Sequence, residues 1–173
     1  MSRNGKLDKI QIPSSDGGPN SNVDATEVKG SIHFPALWSG QRLVYMIDTL
    51  DTVSQCNKLG FRSGCYRGAA LIDSNYRKFE VVDARKLRIL FSLNFDSLFD
   101  ILVGNPRWQV ELVFGSTPKK SSLEEVKRLI LDSFKRDKHS WEEMMDFEEF
   151  RDRVSGATSM EEIFAAFKEF HIA

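Results

Sequence analysis

The sequence predicts an α+β fold: a mainly antiparallel sheet of about five to six strands packed by helices, with three helices closing the chain. Runs of β-branched and aromatic residues, separated by turn residues, recur from about residue 31 to residue 114. From Arg107 to Phe114, Trp108, Val110, Leu112 and Phe114 alternate with Arg107, Gln109, Glu111 and Val113, the period of a strand with one buried face. Beyond Gly115–Lys120 the apolar period lengthens to about 3.6 and stays there to the end. Strands first and helices last separate the two kinds of element along the chain, which an alternating parallel α/β fold does not do.

The chain has 173 residues, with hydrophobic residues at 41% and 13 Phe, enough for one core. Ser14 to Asn22 reads Ser-Ser-Asp-Gly-Gly-Pro-Asn-Ser-Asn, with almost no apolar area to offset the entropy of ordering it. Residues 1–26 are therefore expected to be a flexible arm, in which Lys6 to Ile12 can dock as a short strand, and residues 27–173 a single α+β domain. The first residues lack the apolar stretch of a secretory signal. Ile89 to Val103 is too interrupted by Ser and Asp to span a bilayer. Cys56 and Cys65 match no disulfide framework. A cytoplasmic location with reduced thiols and no membrane partner is the expectation.

Ser31 to Phe34 reads as a strand stopped by Pro35, and Arg42 to Ile47 as a second. Leu50, Val53, Cys56 and Leu59 form a stripe that predicts a helix capped by Asp48 or Thr49 and stopped at Gly60. Tyr66–Ile72 and Arg77–Val82 flank Asp73-Ser-Asn-Tyr76 and predict a hairpin, with Asn75 suited to a positive φ. Lys86 to Phe91 adds a strand, and Asn94 or Asp96 caps a short helix to Val103. Ser122, Ser140 and Ser159 each stand three residues before a Glu, the spacing at which each side chain bonds the other's backbone amide at a helix start. They open helices with apolar sets Leu123, Val126, Ile130, Phe134; Met144, Phe147, Phe150, Val154; and Met160, Ile163, Phe164, Phe167.

Candidate chemistry is sparse. Cys65 lies in Arg62-Ser-Gly-Cys-Tyr-Arg67, where cations favour a thiolate, but a nucleophilic Cys needs a positioned base, and His33, His139 and His171 stand at no interpretable spacing. Packing explains the residue as well. Histidine and cysteine spacing matches no metal motif. Gly60, Gly64 and Gly68 match no phosphate-binding loop. Asp48 with Asp51, or Asp73 with Asp83, could pair for acid–base work, yet capping and turn roles account for Asp48 and Asp73. The expectation is a protein without catalysis, cofactor or metal.

Charge is distributed unevenly, although the net charge is −1. From Arg62 to Phe91, seven basic residues (Arg62, Arg67, Arg77, Lys78, Arg85, Lys86, Arg88) meet three acidic ones. From Ser140 to Phe170, nine acidic residues meet three basic ones. Part of the acidity complements helix dipoles. The surplus marks Glu142, Glu143, Asp146, Glu148, Glu149 and Asp152 as a surface able to steer a basic partner. The basic segment offers a contact for nucleic acid or an enzyme's substrate as the alternative, without the aromatic interleaving of an RNA-binding sheet.

Three stretches resemble the small immunity proteins encoded beside bacterial polymorphic and contact-dependent inhibition toxins: Gly30-Ser-Ile-His-Phe-Pro35, Gly68-Ala-Ala-Leu-Ile-Asp-Ser-Asn-Tyr-Arg-Lys-Phe-Glu-Val-Val82, and Ala157-Thr-Ser-Met-Glu-Glu-Ile-Phe-Ala-Ala-Phe167. The resemblance implies a non-enzymatic cytoplasmic protein that binds a cognate toxin domain and blocks its active site or substrate surface. Where such a toxin is a nuclease with a basic cleft, an acidic patch would imitate nucleic acid.

Overall fold

The computed structural model describes residue 28 and residues 31–90, 101–144 and 146–170. The expected arm over residues 1–26, its Lys6–Ile12 strand, and the Asn94 or Asp96 helix cap lie outside the described residues, as do the side chains of Glu143 and Met144.

The fold is α+β. Seven strands form one antiparallel sheet: β1 (Ala36–Ser39), β2 (Val44–Ile47), β3 (Gln55–Asn57), β4 (Ala70–Asp73), β5 (Arg77–Ile89), β6 (Arg107–Phe114) and the two-residue β7 (Lys119–Lys120). Their order is β2-β1-β4-β5-β6-β3, with β7 paired to the start of β5. A short helix α1 (Lys58–Arg62) follows β3, and α2 (Leu123–Arg136), α3 (Lys138–Met144), α4 (Phe147–Gly156) and α5 (Met160–Glu169) follow the sheet.

Strand β5 is the pivot. Its first residues lie between β4 and β7, in register Ala70↔Glu80 and Lys78↔Lys119, while its remainder pairs with β6 as far as Ile89↔Trp108. The register skips Val82 and Leu87. Each is the extra residue of a bulge, which kinks a strand and re-aims a side chain.

Each face of the sheet covers its own core. Leu37, Val44, Met46 and Ile72 face Val126, Ile130, Phe134, Trp141, Phe150, Val154, Met160, Ile163 and Phe167 of the helices. On the other face Trp38, Ile47, Leu71 and Phe79 meet Val110, Leu112 and Phe114, where the sheet curls over Val53 and Tyr66. Strands β1 and β4 are consequently buried at every position. In the helical core Phe134 meets Trp141, Phe147 and Phe150 edge-on at centroid distances of 4.4, 5.1 and 5.5 Å. Such contacts add about 0.5–1.5 kcal/mol each beyond burial.

The hairpin and the Arg107–Phe114 strand form as the sequence predicts, although the first hairpin strand begins at Ala70 rather than Tyr66; the strand expected at Arg42–Ile47 begins at Val44, and Lys86–Ile89 of the expected Lys86–Phe91 strand continue β5, with Phe91 outside the described residues. Residues 31–34 do not pair as a strand: Ser31 turns back to the carbonyl of Val28 at 3.2 Å and the His33 amide bonds Asp73 at 3.4 Å. Pairing begins after the cis Phe34–Pro35 bond. The expected Asp48–Leu59 helix is replaced by a 3-10 turn at Leu50–Thr52, then β3 and α1. The cause is tertiary: Val110 donates to Ser54 at 2.8 Å and Gln55–Asn57 pair along the edge of β6, so backbone bonding overrides the helical stripe. Leu59, assigned by that stripe to the core, is 66% exposed. Gly60 does not stop a helix; it lies inside α1, its amide held by the Asn57 side chain at 2.7 Å. The positive φ of the hairpin turn falls on Tyr76 at 61° rather than on Asn75.

Four C-terminal helices form where three were expected. Ser122 and Glu125 make the reciprocal cap in full, at 3.2 and 2.8 Å. Ser159 accepts from the Glu162 amide at 3.3 Å, while the Glu162 carboxylate bonds Thr158 instead, at 2.6 Å to its amide. The Ser140 cap is not used. Asp137 takes the amide of Ser140 at 3.4 Å, so α3 starts at Lys138 and Trp141 reaches the core. Asp146 then caps α4 through the Glu149 amide at 3.3 Å, which turns Phe150 and Val154 into the same core.

The β4–β5 corner is held by Asp73, which is fully buried. One oxygen accepts the amides of Asn75 and Arg77, both at 2.9 Å. The other takes the His33 amide and the Arg77 guanidinium, the latter at 2.7 and 2.9 Å. Removing one partner of a buried ion pair strands the other and costs about 3–5 kcal/mol. Asp73→Ala is expected to lower unfolding free energy by about that amount in urea titrations, whereas Asp83→Ala, at an exposed pair, should leave the midpoint nearly unchanged.

Candidate functional site

The six acidic residues singled out from the sequence lie at the end of α3 and the start of α4. Glu142 pairs with Lys138 at 3.1 Å, one helical turn away. Asp146 is spent as the α4 cap. Glu148 and Asp152 both grip Arg151, the latter at 3.0 Å, and these carboxylates hold the Arg151 guanidinium above its usual range, Asp152 most of all. Glu149 is exposed and has no ion-pair partner among the described residues. Asp152 also borders a groove of about 420 Å³ between α4 and α5, with Glu162 and Glu169. The helical end is acidic as expected, but much of its charge is tied to neighbouring cations or to capping.

The basic segment is likewise divided by the fold. Arg77 is taken by Asp73, Lys78 approaches Glu80 at 3.5 Å, and Arg85 pairs with Asp83 at 3.1 Å. The Arg85 hydrogen bond, with the Ala84 amide, holds the Asp83 carboxyl below the usual range. Lys86 lies over the Trp108 ring, 4.1 Å from its centroid, and Arg88 bonds Gln109 at 2.7 Å.

Sequence reading missed an apolar end to the β5–β6 arm. Leu59, Leu87, Ile89, Leu102 and Val103 are 66, 57, 50, 84 and 57% exposed. Backbone geometry brings these segments together: the Lys58 amide donates to Pro106 at 3.1 Å, the Leu59 amide to Asn105 Oδ1 at 3.0 Å, and Leu90 to Arg107 at 2.9 Å. Exposed aliphatic side chains on adjoining segments are the kind of surface from which interaction sites are built. The signal lay in Lys86-Leu-Arg88 and Asp51 to Leu59: an aliphatic residue between two cations, and a helical stripe too short to bury its last member.

The thiols show why Cys65 is a poor nucleophile. Cys56 and Cys65 lie beside Tyr66, all lining a pocket of about 290 Å³ with Tyr45. Burial first, then the neighbouring Cys56, pushes the Cys65 thiol up to about 12. Burial also raises Tyr66, whose hydroxyl donates to the Val53 carbonyl at 2.9 Å. Asp73 and Asp83 are no catalytic pair, since Asp73 is level with Arg77 and Asp83 lies six residues farther along β5, roughly 20 Å at strand rise. Among the described residues no group of three His, Cys, Asp or Glu side chains gathers as a metal site. No helix among them is long and apolar enough to cross a membrane.

Comparison with protein-family models, curated proteins and solved structures gives no match for this chain. Function must therefore be argued from its own surfaces.

With its folded pKa raised, Cys65 carries almost no thiolate until the pH approaches about 12. Iodoacetamide is expected to alkylate it far more slowly than free cysteine at pH 7 to 8, as followed by mass spectrometry; a rate equal to or above that of the free thiol would refute the assignment.

Proposed function

We propose that this chain is a non-enzymatic protein-binding module that binds and neutralises a cognate toxin domain, acting in the cytoplasm. The observation that carries the binding role is the exposed aliphatic cluster at the end of the β5–β6 arm. Burying that cluster against a partner offers roughly 25 cal/mol per Å² of apolar surface removed from water, on a scaffold whose two cores keep it in place. The toxin-directed form of the reading draws on the resemblance of the Gly30–Pro35, Gly68–Val82 and Ala157–Phe167 stretches to immunity proteins. Glu142, Glu143, Asp146, Glu148, Glu149 and Asp152 supply a second, electrostatic contribution by drawing a basic partner surface toward the helical end.

Binding by nucleic acid, or use of the Arg62–Arg88 region by an enzyme, is the other reading. Retention on heparin that falls when Arg85, Lys86 and Arg88 become Ala would favour it.

A gene immediately upstream is expected to end in a toxin domain; expression together with that domain is expected to restore growth, and the purified pair to form a stable complex on gel filtration. Neither rescue nor complex would overturn the proposal. Reversing charge at Glu148 and Glu149 is expected to slow association several-fold at low salt and to flatten its salt dependence. Unchanged on-rates would remove the acidic face from the interface while leaving the binding role intact.

A further inference from the structure

Among the described residues, cations outnumber carboxylates at the apolar end of the β5–β6 arm. Residues 55–68, 84–90 and 101–110 contain no Asp or Glu, but they hold Lys58, Arg62, Arg67, Arg85, Lys86, Arg88 and Arg107. The nearest carboxylate on β5, Asp83, is already bonded to Arg85. Exposed aliphatic side chains thus sit beside a surplus of cations, with Asp51 and Glu111 confined to the cleft under Leu87, and this is the complement of a surface that is both apolar and acidic.

We infer that this end of the molecule docks an acidic segment of a partner protein, whose aliphatic side chains pack on Leu59, Leu87, Ile89, Leu102 and Val103 while its carboxylates meet Arg62, Lys86 and Arg88. The inference rests on the protein-binding reading above and names the chemistry of the partner.

Three features favour this occupant over others. Both bulge residues of β5, Val82 and Leu87, are aliphatic and exposed, at 65 and 57%, and each borders a cleft. Val82 lines one of about 340 Å³ with Phe61, Arg67 and Asp83, the last bonded to Arg85, and Leu87 lines one of about 230 Å³ with Leu50, Gln109 and the carboxylates Asp51 and Glu111. Clefts beside raised aliphatic residues suit the protruding side chains of a protein, whereas a lipid surface needs only an apex to insert.

Recognition proceeds through side chains rather than by adding a strand. Among the described residues nothing pairs with the outer edge of β5 beyond Val81, which donates to Ala69 at 2.9 Å. Two bulges and the cations at 85, 86 and 88 blunt that edge against strand addition. Edge-to-edge pairing with a second copy would set those cations against one another, which is destabilising.

The test uses the full chain, isotopically labelled, titrated with a blocked twelve-residue peptide of alternating Leu and Glu and followed by amide chemical shifts. Residues of α1, the last turn of β5 and 101–105 are expected to move, with at least ten-fold weaker binding for Arg88→Glu and for Leu102→Ser. Leu102 is 84% exposed, so its change leaves the fold intact by circular dichroism. A matched peptide of Leu and Lys is expected not to bind.

Equal binding of both peptides, or shifts confined to residues 142–152, would overturn the inference. Shifts at this end caused by phosphatidylglycerol vesicles but not by the acidic peptide would assign it to a lipid surface instead. Shifts that appear on concentrating the protein alone would assign it to the acidic helices of a second copy. Unchanged affinity for the cognate toxin domain in both variants would overturn this surface and leave the protein-binding reading standing; absence of any toxin complex would remove that reading itself.

Discussion

A single buried carboxylate fixes the corner on which the two halves of the sheet depend. Asp73 ends β4, and its two oxygens accept backbone amides from the turn, from β5 and from the segment entering β1. Arg77, the first residue of β5, closes the charge and reaches on to the Ser31 carbonyl. Taking such a pair out of water is costly, and the cost is met only when the remaining lone pairs are bonded, as they are here by three amides and a guanidinium. The positive φ of Tyr76 follows from the same corner: its carbonyl takes the Ser121 amide at 2.7 Å and its hydroxyl takes the Met160 amide at 3.1 Å. One turn thereby sets the sheet, the entry to α2 and the start of α5 relative to one another.

From that corner β5 serves two masters. Its first residues sit inside the sheet, where both faces are covered, so Phe79 is buried. Past Val81 β6 is the strand's one partner among the described residues, and the bulges at Val82 and Leu87 keep it from lying flat. A strand that leaves the core in this way loses the area that would stabilise it. Part is recovered by Lys86 over Trp108, and by Phe61 against the same ring at 5.3 Å. The rest is left in solvent.

Legibility in the sequence followed the range of the interactions. Local signals were read well: the alternation of Arg107–Phe114, the cap at Ser122 and the Asp73 turn all depend on residues within a few positions of one another. The helix expected from Leu50 to Leu59 failed because its competitor, the edge of β6, lies some fifty residues away in the chain and leaves no mark in the local period. The cap expected at Ser140 failed for a subtler reason. Asp137 and Ser140 are both good capping residues, and the choice between them is made by Trp141, which must enter the core beside Phe134. The acidic cluster was visible as composition, but whether each carboxylate was spent locally depended on Lys138 and Arg151, whose orientation composition does not specify.

The same distinction decides how the two charged ends are weighed. At the helical end charge is plentiful, yet Glu142, Asp146, Glu148 and Asp152 already have partners, and an exposed ion pair contributes little to stability or recognition. At the arm the cations flank aliphatic side chains that have none. A charge acts at long range and sets the rate and direction of encounter, whereas a desolvated apolar contact supplies most of the energy that holds a complex together. On the proposed reading the acidic helices steer a partner and the arm holds it. A partner that answers both would carry a basic region and an acidic, aliphatic segment, and the uneven distribution of charge along this chain would then be a feature of how it orients that partner.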